Sequence, residues 1–494
     1  LQNIWNIWWV NLSVTKLHAL PWFTNYIFYP SGVSLLGHTL NPFNGFMAIP
    51  LLKFFTLVQA YNLLVLFGFI ATGIFTFYYA LYISKSYIGS LLSGAIFTFS
   101  SFHFSHAEGH MQLVSVEWLP LFIYSWHLFL NKLSLKYAFF SGITLFAVLL
   151  CDLYYFFYAV VIGFIYLVWF LRSKNHPIRK KITLFLRNFG FFILIVLCTS
   201  GLIIVPFIMI ASREGFQGAH ESITFSLDLF SLFIPGGHWR FASITEAFWK
   251  KLPGNIQESS VSLPISVLFI VGYVWYKIRK IPEKKSPIKL FFFIFVLFLI
   301  LAFGPMLQVN GHDTGLLAPY LIFDLLPVLN LSGVPVRMMV VVHLFAALIF
   351  AQGFALLMTR VTPKRIAFAI FLSLLLFIEL FPRQIPLSRV EVPKYVYFLK
   401  NLPEKYSVID TYSSPFSQLY FQTIHNKRMP YGYIARYPTS TGLNFMELNN
   451  LLKEEKYSLA SKLFSVGYIV TKSSVKLPIR AIYRDKQVTI FTLR

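Results

Sequence analysis

SFHFSHAEGHMQLVSVEWLP, Ser101 to Pro120, sets His103, His106, His110, Glu108 and Glu117 between apolar runs long enough to enter a bilayer. Only three carboxylates occur in the first 213 residues, Glu108, Glu117 and Asp152, and two of them fall here. Ionisable groups at membrane depth are costly, so such a cluster is a functional-site candidate by default. The competing reading is a hydrated loop that ends two helices and does nothing else.

Outward from this stretch the class is set by composition. The chain is 57% hydrophobic and 12% charged, with 55 phenylalanines, and its mean hydropathy is +0.65. Soluble domains carry about 25% charged residues, so this is a polytopic membrane chain. The net charge of +23 is explained by basic inner loops and anionic headgroups, and the hydropathy excludes a soluble nucleic-acid binder. Cys151 and Cys198 fall in apolar runs and argue neither a disulfide framework nor a zinc site.

Apolar length at about 1.5 Å rise per residue predicts about ten spans. These are Tyr61–Ile83, Ile88–Phe104, Val114–Leu130, Ala138–Cys151, Leu153–Leu171, Phe189–Ile210, Leu263–Tyr276, Leu290–Met306, Met338–Leu357 and Ile366–Phe381. Asp152 falls at the turn between the fourth and fifth. Lys85, then Lys132 and Lys136, then the run from Arg172 through Lys174 to Arg187 follow alternate spans. So do the run from Lys277 through Arg279, Lys280, Lys284 and Lys285 to Lys289, and the group Arg360, Lys364 and Arg365. Basic loops lie on the cytoplasmic side. The remaining loops, residues 105–113, 211–262 and 307–337, therefore open on the outer side, with residues 1–60 and 382–494.

Residues 1–60 contain no acid and many Pro and Gly breaks. Trp5, Trp8 and Trp9 mark one helical face, as expected of short helices on a membrane surface. A segment starting outside calls for an earlier span, and the chain opens at Leu1 without a Met, so we expect one more helix upstream. Leu316–Leu331 is too short and broken to span and is expected to be re-entrant or interfacial. From residue 382 charges become frequent and apolar runs shorten. Helices over Val392–Leu402, Ser417–Ile424 and Glu447–Phe464, and strands over Tyr406–Thr411, Gly467–Lys472, Ile479–Tyr483 and Val488–Leu493, predict a small outer α/β domain.

PWFTNYIFYPSGVSLLGHTLNPFN, HAEGHMQLVSVEWLPL, LAFGPMLQVNG and LLPVLNLSGVPVRMMVVV resemble segments of bacterial YfhO-type and related membrane proteins of the GT-C glycosyltransferase class. The resemblance implies an all-α polytopic membrane helix bundle with a small extracytoplasmic C-terminal domain, in a bacterial plasma membrane. It also implies transfer of a sugar from a polyprenyl-phosphate carrier to a glycan, lipid or protein acceptor on the outer face. An acid would take the acceptor's proton, and cationic groups or a divalent metal would meet the charge on the departing phosphate.

GT-C enzymes place the key acid in the first outer loop, and residues 1–60 have none. The base is therefore either Glu108 or an acid upstream of Leu1, or the chain is not catalytic. Arg337 is the phosphate candidate, since a guanidinium grips phosphate in a bidentate fork; an interfacial anchor is the alternative. His106 and His110, four apart on one helical face, could bind metal or phosphate. His38, Arg213, His220 and Glu221 are further substrate-binding candidates, and Glu117 and Asp152 are structural polar partners of His or Arg. A non-catalytic scaffold and a lipid-linked saccharide transporter are the alternative functions. The near absence of charge along the spans weighs against the transporter.

Overall fold

Three helices around the histidine stretch start where a side chain takes over a backbone hydrogen bond. Ser86 Oγ accepts from Gly89 N and starts Tyr87–Thr98. Ser100 Oγ accepts from His103 N and starts Ser101–His106. Asp152 Oδ1 accepts from Tyr154 N and Tyr155 N and starts Leu153–Arg172. Each satisfies donors that a helix N-terminus otherwise leaves unpaired. The computed structural model describes all residues except 173–176, 219, 279–286, 327–332, 386, 388–389 and 494. Lys174, Arg279, Lys280, Lys284, Lys285 and the end of Leu316–Leu331 lie outside the described residues.

Two compact units emerge, one from residues 63–202 and 220–386, the other from residues 1–62, 203–219 and 387–494. The first is helical. Its centre is Met339–Leu357, buried all round from Met339 to Phe354 and packed by Tyr87–Thr98, Ile265–Lys277 and Ile288–Ala302. Small residues let these helices approach, as in membrane bundles. Ser93 Oγ donates to Ala347 O at 2.7 Å, and a Cβ on Gly353 would stand 2.6 Å from Val274 Cγ2.

Among the described residues, four helices are long and apolar enough to cross a membrane: Leu57–Ser84, Met111–Lys132, Leu153–Arg172 and Pro335–Leu357. Leu135–Cys151, Ile265–Lys277 and Ile288–Ala302 are apolar but shorter. One expectation is corrected. Phe189–Ile210 is not one straight span: Ile182–Cys198 and Gly201–Arg213 meet at a 59° bend, at the helix-breaking Thr199-Ser200-Gly201. Leading into Leu316–Leu331, Met306–Val309 and His312–Leu317 form an antiparallel hairpin. Asn310 and Gly311 turn it with φ of 54° and 78°, the left-handed pair that favours Asn-Gly.

The other unit holds a four-stranded sheet: β1 (Ser407–Asp410), β2 (Val466–Lys472), β3 (Arg480–Arg484) and β4 (Val488–Thr492), in the order β1-β2-β4-β3. β1 is parallel to β2, and β4 is antiparallel to both its neighbours. Gln2–Thr15 packs on Pro415–His425 in the same unit. Trp5 and Trp9 stack at 6.1 Å and are buried in one apolar cluster with Tyr395, Leu419 and Val488, instead of lying on a membrane surface. Trp5 Nε1 donates to Gln422 Oε1 at 2.7 Å, and Gln422 Nε2 donates to Tyr26 O and Lys427 O. The first sixty residues and the C-terminal sheet thus share a core, a contact between chain ends that local periodicity does not carry.

Candidate functional site

The helix capped by Ser100 runs into a last turn in which His110 N donates to His106 O at 2.8 Å. That turn brings the two imidazoles together, with Nδ1 atoms 3.0 Å apart. Such a separation suits two neutral rings sharing one proton, or two ligands of one cation. His106 is fully buried, its ring against Phe102 at 4.4 Å.

A second short helix, Ile256–Ser259, is capped by Asn255, whose Oδ1 accepts from Glu258 N at 2.9 Å. Ser105 Oγ donates to Gln257 O at 2.9 Å and docks this turn on the histidine helix. Glu258 Oε2 then lies 3.6 Å from His106 Nε2, and neither atom has a hydrogen-bond partner among the described residues. The other oxygen, Oε1, accepts from Arg337 Nε at 3.0 Å and Nη2 at 2.5 Å. The guanidinium stacks 4.9 Å from the centre of Tyr154, which stands in the turn that Asp152 caps. Tyr155 OH donates to Leu113 O at 2.6 Å and ties that turn to the histidine loop.

The electrostatics follow from this geometry. Burial alone would raise the Glu258 carboxyl, but the Arg337 guanidinium beside it outweighs burial and brings it down to about 2. Burial lowers His106 to about 3, against the pull of Glu258. It lowers His110 too, in the same competition. The cluster is thus one carboxylate, one guanidinium and two neutral imidazoles, shielded from water. A water-poor site of this kind makes its charges count for more than in solution.

His106, His110 and Glu258 can each turn one ligand atom to within 4.8 Å of the others. Two imidazoles and a carboxylate suit a borderline divalent ion such as zinc or manganese. The orphaned His106 Nε2 and Glu258 Oε2 are donors such an ion would satisfy, so the residues fit a metal.

At the rim, Arg383 Nε and Nη2 donate to Glu108 Oε1 at 2.9 and 2.6 Å, and Nη2 also donates to Oε2 at 2.8 Å. Gln257 adds a weak contact to Oε2 at 3.4 Å. Glu108, the sequence candidate for the base, is therefore held in a bidentate ion pair. Arg337 is likewise already bound and is 7% exposed, so it is no vacant phosphate fork.

Neither oxygen of Glu117 has a hydrogen-bond partner among the described residues, contrary to the expected pairing with His or Arg. Asp152 serves as a helix cap. His38 belongs to the other unit, where its ring takes the Ala435 amide at 3.1 Å and meets Asn6 Oδ1 at 3.0 Å. It is buried there, a structural role that replaces the expected substrate contact. Arg213 is exposed in that same unit. His220 lies against Phe225 at 5.1 Å, and Glu221 accepts from Thr224.

Sequence reasoning missed Glu258 and Arg383. Glu258 lies among the many polar groups of residues 211–262 and is set inward only once its turn docks on the histidine helix. Arg383 sits just past a long apolar helix, where a charge is ordinarily an anchor.

No protein-family model and no curated protein matches this chain. Among solved structures it is similar to the apo crystal structure of an oligosaccharyltransferase from Archaeoglobus fulgidus. The two are 11% identical, with a TM-score of 0.51 over 95% of this chain. The fold is oligosaccharyltransferase-like. This chain spans 65% of that protein's length. A second structure of the same enzyme, tethered with an acceptor peptide containing the NVT sequon, is 11% identical at a TM-score of 0.44 over 95% of this chain and 64% of that one. The likeness is one of fold alone, and a shared fold does not carry a shared chemistry.

Proposed function

We propose that the chain is a membrane glycosyltransferase of the GT-C class, of the YfhO type that its segments resemble. It moves a sugar from a polyprenyl-phosphate carrier to an acceptor on the outer face of a bacterial plasma membrane. The observation that carries this reading is the buried His106–Glu258–Arg337 cluster, in which a carboxylate oxygen and an imidazole nitrogen face each other without partners. Glu258 Oε2 is the acid placed to take the acceptor's hydroxyl proton, since Arg337 holds only its other oxygen. Arg337 fixes that carboxylate and lends positive charge against the phosphate oxygens. His110, half-buried beside His106, hydrogen-bonds the incoming polar group.

A divalent ion held by His106, His110 and Glu258 would supply positive charge for the departing phosphate, and it would take up the Glu258 oxygen otherwise open to the proton, so metal binding and the base role of Glu258 are alternatives. Glu108 and Arg383 build the rim and keep the histidine turn against the Gln257 turn. The scaffold reading draws on one observation: both arginines are already neutralised by carboxylates, Arg337 by Glu258 and Arg383 by Glu108.

The test is sugar transfer in membranes from radiolabelled polyprenyl-phosphate sugars, comparing wild type with His106→Gln and Glu108→Gln. Enzymatic transfer lost in His106→Gln and kept, at reduced rate, in Glu108→Gln supports this site. No transfer from wild type across a broad donor panel moves the assignment to the scaffold.

A further inference from the structure

Residues 262–265 help line a cavity of about 280 Å³ that the mechanism above does not use. A single water needs only about 10–15 Å³ by the same measure, so the space suits an organic group. Its walls are mostly apolar, with Phe99, Phe233, Ile265 and Leu375 among them. Its polar points are few: His238, Ser101, Thr245, Ser262 and Glu379. Three of these side chains are engaged. Glu379 binds the amides of Ile265 and Ser266 at the start of their helix, Ser101 Oγ donates to Ser262 O, and Thr245 Oγ1 donates to Pro235 O. His238 differs. It is 6% exposed, and its Nδ1 has no hydrogen-bond partner among the described residues.

A second cavity of about 360 Å³ shares Phe99 and Leu380 as walls with the first. Apart from Ser373 its lining is entirely apolar. Both border Pro363–Leu380, whose outward residues Ile370, Phe371, Leu374 and Phe377 are 56–63% exposed. In a membrane chain that face meets hydrocarbon, so the paired cavities are continuous with a lipid-facing surface.

We infer that the paired cavities bind a membrane lipid with a neutral hydroxyl head, its chain between Phe99, Leu376 and Leu380 and its hydroxyl against the His238 ring that lines the first cavity. Charge decides the head. The lining holds no lysine or arginine. Arg383, whose amide donates to His238 O, is neutralised by Glu108, and the Glu379 carboxylate would repel a phosphate. Burial, then the neighbouring His343 and Arg383, lower His238 to about 3, which leaves it neutral and suited to one hydrogen bond.

The test uses the full chain in phosphatidylcholine nanodiscs without any sugar donor. Oleyl alcohol with a chain diazirine, or its phosphate monoester, is photo-crosslinked and the labelled peptides are mapped. The alcohol is expected to label residues 233–245 and 375–380, to be displaced by unlabelled oleyl alcohol, and to exceed the phosphate ester by about fivefold. Ile378→Trp, which fills the cavity, should cut that labelling while leaving labelling of Leu57–Ser84 unchanged. Even labelling of every exposed apolar face would overturn the site. Equal or stronger labelling by the phosphate ester would overturn the neutral-head assignment. Because binding is read without a donor, lost transfer with intact labelling counts against the proposed function alone. Unlabelled cavities in a protein that still transfers sugar count against this site alone.

Discussion

Replacing Glu258 with Gln removes the carboxylate that the Arg337 guanidinium contacts at 3.0 and 2.5 Å, its one ion-pair partner among the described residues. The side chains of the pair are 8% and 4% exposed, so solvent cannot screen what is left. Arginine cannot discard its proton, and breaking a buried pair on one side costs about 3–5 kcal/mol. That is roughly two to three and a half powers of ten in the folded-to-unfolded ratio. Replacing both members by apolar residues, Glu258→Leu with Arg337→Met, removes the stranded charge and leaves no buried polar group in its place. Apolar replacement of a buried pair is often neutral or stabilising by about 1–4 kcal/mol, so the double variant should regain most of the loss. The assay is reversible unfolding in mixed micelles for wild type, both single variants and the double variant. If the double variant is as unstable as Glu258→Gln, the stranded-charge reasoning fails.

Gly353→Ala drives a Cβ against Ile270 and Val274 and should cost about 1–3 kcal/mol by overpacking; unchanged thermal unfolding would contradict this. Burial holds His38 at about 3, and burial with the nearby Lys427 holds His425 at about 3. Their folded values lie below the unfolded 6.5, so the unfolded chain binds more protons between the two, and stability is full above about 6.5 and falls as pH drops toward about 3. Hydrogen exchange of the Ala435 amide, which His38 accepts, should show lower protection near pH 5 than near pH 7.5 after correction for intrinsic rates. Trp5→Phe leaves Gln422 Oε1 without its donor and should cost about 1–3 kcal/mol, read as faster proteolysis between residues 16 and 40.

The histidine stretch was legible because acids are so scarce that two in one loop stand out. The helix boundary at Asp152 was legible for the same reason, and the C-terminal strands fell within a residue or two of their alternating runs. Glu258 was obscured by the many polar groups of residues 211–262, where no local pattern singles out the acid that turns inward. Arg337 was visible as a residue but not as a partner: its ion pair crosses 79 positions and exists only once two short turns dock. The same holds for Glu108 and Arg383, 275 apart. Trp5 and Trp9 misled because an aromatic stripe looks alike whether it faces headgroups or a packed protein core. The hairpin at Asn310-Gly311 carried its turn signal openly, but the apolar run after it dominated the reading.

The most direct measurement is metal-dependent sugar transfer by the full chain, wild type against His110→Gln, with folding verified by unfolding in micelles. His110 is only half-buried, so its replacement should leave the fold intact. We expect polyprenyl-phosphate-dependent transfer in wild type, its loss after chelation and recovery with manganese or zinc, and at least about tenfold lower transfer in His110→Gln, as for a positioned acid–base or ligand group. Transfer at the wild-type rate in a folded His110→Gln protein would contradict the placement of the reactive site at His106, His110 and Glu258.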